Sequence, residues 1–350
     1  MSLYAGMDLH SNNVVIGLVN QDGQRVKQMR LANNMAQILD TLKPHKEHIV
    51  NVGVEATFNW YWLVDGLRAA DYPVVLANPA AMKPYTGLKH SDDVSDAYFV
   101  ADLLRLNILP TGHIYDPKLR PFRDLLRRRQ SLVHKRTSLL LSLKSLYARN
   151  TGQTLAQSQA KALVVEDVPK WLKHPADQLI ASEQVDLMKC LDKSIDKVVK
   201  AVSVVADKLP CYKQLHTLPG VGQILGLMIS METGPIDRFA QPGHYASYCR
   251  CVQADRQSNG KSKGENNGKC GNKYLAWAFV EAAHISRRYD AACRKFYDRK
   301  QAKTNTMVAT KALACKLAKA AWHVMKKQEP YDPRRVFPDL VKGPPARTIA

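Results

Sequence analysis

The chain has little that would take it out of an aqueous, reducing compartment. None of its apolar runs approaches the roughly 18 residues needed to span a bilayer. The N-terminus, Met1-Ser2-Leu3-Tyr4-Ala5-Gly6-Met7-Asp8, carries neither the basic nor the apolar stretch of a secretory signal. Seven cysteines, an odd number scattered from Cys190 to Cys315, do not form a disulfide framework. The closest pair, Cys249-Arg250-Cys251, is spaced too tightly for a zinc knuckle, and no His-x-x-x-His follows it. Membrane, secreted and disulfide-stapled classes are set aside, and a cytoplasmic protein is expected.

Acid is also scarce. Lys and Arg number 51 against 31 Asp and Glu, a formal net charge of +20. Hydrophobic residues make up 45%, too many for a disordered chain, and 350 residues suit two or three domains. A cationic surplus of this size fits a partner covered in phosphates. The shortage is uneven. Residues 1–110 hold 9 Lys/Arg and 11 Asp/Glu, whereas residues 111–350 hold 42 and 20. Carboxylates in a nucleic-acid-binding protein repel the ligand unless a metal neutralises them, so the acidic head calls for an explanation.

The head alternates between strand and helix patterns. Short apolar runs at Leu3–Asp8 and Asn13–Val19, with a weaker alternation at Gln24–Leu31, predict three strands joined by turns. A helix over Asn34–Leu42, a β-branched strand over His48–Glu55, a helix over Tyr61–Ala69 and a strand over Tyr72–Ala77 follow. A last helix, capped by Ser91 or Asp92, runs to about Leu106. Three strands, then helix, strand, helix, strand, helix is the order of an RNase H-like α/β domain with a mixed sheet, assigned to residues 1–110. Residues 111–210 read as a basic all-α region, with helices over Arg120–Asn150 and Glu183–Leu209. The apolar spacing of the second fits a coiled-coil arm or a bundle wall equally. Residues 211–328 read as a mainly helical domain, and residues 329–350, with five prolines, as a loosely ordered tail.

Four acids of the head fall where they can meet. Asp8 ends the first strand, Glu55 ends the central one, and Asp93 and Asp96 share one face at the start of the last helix, with Asp92 assigned as its cap. Such a cluster cannot stay ionised without cations. Two Mg²⁺ ions about 4 Å apart would relieve the repulsion and polarise a phosphodiester. A second feature is the stretch from Arg256 to Lys273, with four glycines and five basic residues. Its residues alone leave open a flexible surface loop or a phosphate-contacting loop whose serine attacks a phosphodiester.

Gly6-Met7-Asp8, Val54-Glu55-Ala56-Thr57, Asn78-Pro79 and Ser91-Asp92-Asp93-Val94-Ser95-Asp96-Ala97 together resemble the signature of the DEDD transposases of the "one-ten" family of bacterial insertion sequences. The wording is closest to the "eleven-eleven" subgroup, and the Piv-type DNA invertases are relatives. The resemblance runs from about residue 3 to about residue 325. It implies a RuvC-like head with Asp8, Glu55, Asp93 and Asp96 as catalytic Mg²⁺ ligands, a helical arm and a serine-bearing domain. It identifies Ser258, just before Asn259-Gly260, as the nucleophile, with Ser262 nearby as the alternative. It further implies a recombinase acting on double-stranded donor and target DNA, guided by a structured non-coding bridge RNA, working as a dimer or tetramer and associated with the nucleoid.

Other basic elements fit nucleic-acid contacts. Arg127-Arg128-Arg129 with Lys135 and Arg136 forms one candidate face, and Lys261 and Lys263 flank the serine turn. Gly220 and Gly222, in Leu218-Pro219-Gly220-Val221-Gly222, resemble the hairpin of a helix–hairpin–helix motif or a plain tight turn. A RuvC-like Holliday-junction endonuclease, using the carboxylates without a serine, is the second enzymatic reading. An architectural nucleic-acid-binding protein is the third.

Overall fold

The computed structural model describes residues 1–82, 85, 92–253, 257–264 and 270–340. The alternative cap Ser91 and the end of the expected tail lie outside these. The chain divides into two compact units, Met1–Pro117 with Arg256–Cys270, and Lys118–Asp255 with Gly271–Ala350.

The first unit is built on a mixed six-stranded sheet in the order β3-β2-β1-β4-β5-β6. The strands are β1 (Leu3–Leu9), β2 (Asn13–Asn20), β3 (Arg25–Ala32), β4 (Ile49–Glu55), β5 (Val74–Ala77) and the short edge β6 (Thr111–Gly112). β1 runs antiparallel to β2 and parallel to β4, and β4 runs parallel to β5. The expected α/β head and its strand order are therefore found, with β6 as an addition too short to leave a sequence pattern. Helices α1 (Met35–Leu42), α2 (Trp60–Ala69), α3 (Pro79–Met82) and α4 (Asp93–Arg105) connect the strands.

Strand parity sorts the two faces of the sheet. Leu3, Ala5, Met7 and Leu9 of β1, with Val52 and Val54 of β4, join the core formed with Ile38 and Leu42 of α1 and Leu63 and Leu67 of α2. The intervening residues look the other way, onto α4. There the register sets Gly6 opposite both Gly17 of β2 and Gly53 of β4, a row of glycines across three strands. A Cβ on Gly6 would lie 1.9 Å from the Ala97 carbonyl oxygen and 2.6 Å from the Ala101 nitrogen. The backbone of α4 thus rests directly on the sheet, with Ala97 and Ala101 fully buried.

The second unit is helical. Its long members are α5 (Arg120–Thr151) and, after the short α6 (Gln157–Ala162) and α7 (Val168–Trp171), α8 (Pro175–Ser203). The sequence pattern placed the start of the second long helix at Glu183, eight residues late. α5 and α8 run antiparallel, since Arg149 meets Asp177, Gln184 donates to Ser142, and Arg136 meets Asp192. Leu140, Leu143 and Leu146 pack against Val185 and Met188, and the short helices close this core. Next come α9 (Tyr212–Leu215), α10 (Gln223–Thr233), α11 (Pro242–Tyr248), α12 (Lys273–Tyr289), α13 (Ala291–Lys303), α14 (Thr306–Lys327) and α15 (Pro333–Val336). They share a core centred on Phe279, Tyr245, Leu313 and Leu317. Cys249 and Cys251 belong to that core, and burial pushes the Cys251 thiol up to about 12. The segment up to Leu340 is packed, with Phe337 buried against Phe296. No helix among the described residues is long and apolar enough to cross a membrane.

Gly6→Ala tests the glycine row. Its Cβ would strike backbone, which cannot swing aside, so a loss of about 3 kcal/mol is expected. The check is a urea unfolding midpoint, with Gly152→Ala, whose Cβ meets nothing within 4 Å, as the comparison. That second change should cost only the backbone strain of its positive φ, about 1 kcal/mol. Equal losses for the two variants would contradict the packing described.

Candidate active site

Asp8 lies two residues beyond Gly6, and Glu55 two beyond Gly53, so both carboxylates fall on the face covered by α4. Met7 pairs with Val54, which brings the two acids to the same level of neighbouring parallel strands. α4 starts at Asp93, with Asp92 as its cap accepting from the Ser95 amide at 2.7 Å. Asp93 is one turn before Ala97, the residue seated over Gly6, and Asp96 directly precedes it. The glycine that admits the helix therefore also delivers its first turn to the strand ends.

The four groups affect one another. Burial raises the Asp8 carboxyl above its ordinary value, and the charges of Asp96 and Asp93 add to this, while His10 and Arg30 oppose it. Glu55 is raised by burial and then by the charges of Asp8 and Asp96. Asp93 is lowered, chiefly by its hydrogen bond from Arg30. Arg30 of β3 donates to Asp93 Oδ2 at 2.7 Å. His10 Nε2 stands 3.1 Å from Asp8 Oδ2 and 3.3 Å from Asp93 Oδ1. Ligand atoms of Asp8, His10 and Asp93 all lie within 4.8 Å of one another. Two carboxylates and an imidazole nitrogen at this spacing could hold a metal ion.

Sequence reasoning passed over His10 and Arg30. The position of His10 just past the strand end, two residues after Asp8, was the available signal. Arg30 gave none, because its proximity depends on the register that pairs it with Val15.

Ser258 lies in a two-residue hairpin of β7 (Gln257–Ser258) and β8 (Lys261–Ser262). Asn259 and Gly260 form the turn with φ of 51° and 70°, the pair of positive values of a type I′ turn, for which Asn-Gly is the preferred sequence. This explains why an asparagine stands between the serine and the glycine. Ser258, Lys261 and Lys263 are exposed. The hairpin belongs to the same compact unit as the carboxylates, and the Cys270 thiol donates to the Ala80 carbonyl at 3.6 Å.

In the helical unit the basic run does not form one face. Arg127 donates to Glu232 Oε1 and Oε2 at 2.5 and 2.8 Å and lies 4.3 Å over the Tyr274 ring. Arg128 and Lys135 are exposed. Arg129 is half-buried, and burial together with the charge of Arg136 weakens its hold on its proton. Arg136 pairs with Asp192 at 2.5 Å. Gly220 is required by packing, since its Cβ would lie 2.3 Å from the Ala282 carbonyl of α12. Gly222 caps α10 and is unobstructed.

Glu232, fully buried, was also missed. Burial would raise its carboxyl, yet Arg127, Arg123 and the Asn272 amide at 2.7 Å hold it below the ordinary range. Its signal was a single acid in the mostly apolar helix Gln223–Thr233, which must be paired. Asn272 also caps α12, accepting from the amides of Tyr274 and Leu275, so the network fixes the point where the chain leaves the serine segment.

Two family models match the chain. One, a transposase model of the DEDD type, covers residues 5–148. The other, "Transposase IS116/IS110/IS902 family", covers residues 212–298. Among curated proteins, the chain is 23% identical over 294 residues to the transposase for insertion sequence element IS1111A of Coxiella burnetii, covering 78% of this chain and 76% of that protein. It is 24% identical over 241 residues to "Putative transposase y4qE" of Sinorhizobium fredii, covering 65% of this chain and 56% of that one.

The raised carboxyls set the sign of a stability test. A group with a raised folded value stabilises fully below its unfolded value, and that contribution is lost as pH rises through the folded one. Asp8→Asn should therefore melt no lower than the parent at pH 7 in chelator, the difference vanishing below about pH 4. Millimolar Mg²⁺ should raise the melting temperature of the parent and leave that of the variant unchanged. A variant that melts several degrees lower in chelator at pH 7 would contradict the repulsion described.

Proposed function

Because the chain belongs to the IS110 family of insertion-sequence transposases, with the IS1111A transposase as a relative, we propose that it cuts and rejoins DNA strands through a Mg²⁺-binding DEDD site and a serine nucleophile. The observation that carries this reading is the grouping, in one compact unit, of four carboxylates, two of them raised by burial and by neighbouring acids, with an exposed serine on a basic hairpin. Asp8, Glu55, Asp93 and Asp96 are the ligands. A divalent cation held there supplies Lewis-acid polarisation of the scissile phosphodiester.

The rest of the chemistry belongs to the chain. The Ser258 hydroxyl attacks phosphorus, so that an Oγ–P bond replaces one bond from phosphorus to a sugar oxygen. The net proton transfer runs from the serine to the departing oxygen. The resulting phosphoserine conserves the bond energy until a second strand's hydroxyl reverses the step, and no ATP is needed. Lys261 and Lys263, exposed beside the turn, stabilise the charge that develops on the phosphoryl oxygens. Arg128 and Lys135 of α5, with the unobstructed α10 start at Gly222, provide sequence-independent contacts to the nucleic-acid backbone. Arg127, Arg129, Arg136 and Gly220 serve the framework first. The partners in this reading are donor and target DNA and a structured guide RNA. The protein acts as a dimer or tetramer at the nucleoid, with kinship to the Piv-type invertases.

The test is a search for covalent protein–DNA adduct on a supercoiled substrate. Ser258→Ala should abolish adduct and recombination together, Ser262→Ala should spare both, and chelator should remove both from the parent. If Ser262→Ala is the inactive variant, the nucleophile is four residues further on. Mg²⁺-dependent nicking with no adduct from the parent would instead favour a RuvC-like junction endonuclease.

A further inference from the structure

A charge imbalance comparable to that of α5 lies on two helices to which no role has yet been given. Between Ala291 and Lys327, α13 and α14 carry ten Lys/Arg against a single acid, Asp298. Most of this stretch lies beyond residues 5–148 and 212–298, the regions the family models match.

Six of these cations line two adjoining cavities. One, of about 300 Å³, lies between α13, α14 and the segment Phe337–Leu340, and is lined by Arg299, Lys300, Lys303 and Lys316. The other, of about 380 Å³, lies between α14 and the chain from Glu329 to Val336, and is lined by Lys316, Lys319, His323 and Lys327. Lys316 joins the two. Its Nζ donates to the Val336 carbonyl at 3.1 Å and stands 5.9 and 5.8 Å from the Phe296 and Phe337 rings, which ties the C-terminal segment onto α14.

The nearby acids are largely occupied. Glu329 pairs with Arg335 at 2.7 Å, Asp332 with Arg334 at 3.1 Å, and Asp237 with Lys326, leaving Asp339 at the rim of the smaller cavity. Among the described residues, Arg299, Lys300, Lys303, Lys319 and Lys327 have no carboxylate in ion-pair reach. His323 responds to the resulting field. Burial first, then the charges of Lys327 and Arg335, push its imidazole towards the neutral form.

The spacing gives the patch a direction. Lys316, Lys319, His323 and Lys327 follow one another at three, four and four residues, which places them along one face of α14. Eleven residues of helix span about 16 Å. At about 3.4 Å of rise per nucleotide, that length matches about five phosphates of one strand.

We propose that this face of α13 and α14 is a further binding surface for a phosphodiester strand, in addition to the contacts assigned to α5 and the serine hairpin. It rests on the reading of the protein as a DNA recombinase. Cations outnumber the acids along this face, and a strand of phosphates supplies the balancing charge along the stripe. The ligand is recognised through its backbone, so sequence has little influence at this surface.

The experiment uses the full chain with Arg299, Lys303, Lys319 and Lys327 changed to Gln. A charge-matched control changes Lys189, Lys193, Lys197 and Lys200, all exposed on α8. Affinity for a fluorescent 20-mer is measured across salt with duplex DNA, single-stranded DNA and single-stranded RNA. The surface variant should bind at least one of these ten-fold more weakly, with the slope of log K on log salt reduced by about 2 to 4, while the control changes by less than 1. The ligand with the largest loss identifies the strand that occupies the surface. Its thermal melting should match the parent's, because all four side chains are exposed. A parent that binds steeply with an unaltered surface variant, or equal losses in variant and control, would overturn the surface and leave the recombinase reading standing. A parent whose binding ignores salt on every ligand would overturn that reading, and the surface with it.

Discussion

The site depends on a helix whose backbone rests directly on a glycine of the central sheet. Gly6, Gly17 and Gly53 form a row across three strands, and α4 comes down on it with the Ala97 and Ala101 backbone over Gly6, Tyr98 over Gly17, and Val100 and Leu104 over Gly53. Any larger residue at Gly6 would lift the helix by the width of a methyl group. The strands end two residues past the row, in Asp8 and Glu55, and the helix begins one turn before it, at Asp93. Close packing and the acidic cluster are therefore one geometric fact. The same bare surface that permits the contact sets how near the carboxylates of strand and helix can come.

Charge is handled in opposite ways in the two units. In the first, acids gather with partial compensation from His10 and Arg30, and Asp8 and Glu55 remain raised by burial and mutual repulsion. In the second, the buried Glu232 is fully compensated by Arg123, Arg127 and Asn272 and is held low. The first arrangement favours an external cation. The second is internally closed, and removing both arginines would strand a buried charge at a cost of about 3–5 kcal/mol. The two most buried acids of the head, Asp8 and Glu55, are raised, whereas the buried Glu232 is held low by its partners.

Much of this could be read from the sequence where the signal is local. The strand order followed from apolar runs and turn residues, and the four acids from their places at strand ends and in a helix's first turn. The Asn-Gly at 259–260 specifies its own turn. Long-range register left less trace. Arg30 reaches Asp93 only through the pairing of β2 with β3, and the glycine row appears only when three strands are aligned. Arg127 looked like one of several surface cations, but a helix sends consecutive residues in different directions, and this one meets Glu232, 105 residues away. Gly220, read as part of a DNA-contacting hairpin or a plain turn, is required by its approach to Ala282. The ten cations of α13 and α14 were visible in composition, but only folding gathers six of them over shared cavities.

The central claim is that strand and helix carboxylates form one cation site. Titration of the full chain with Mn²⁺, following the loss of free-ion electron-spin signal, tests it most directly. The account predicts saturable binding that falls to a similar extent in Asp8→Asn, on the strand, and in Asp96→Asn, on the helix, with little further loss when the two are combined. Additive losses, or parent-like binding in the combined variant, would mean that β1 and α4 do not share a cation.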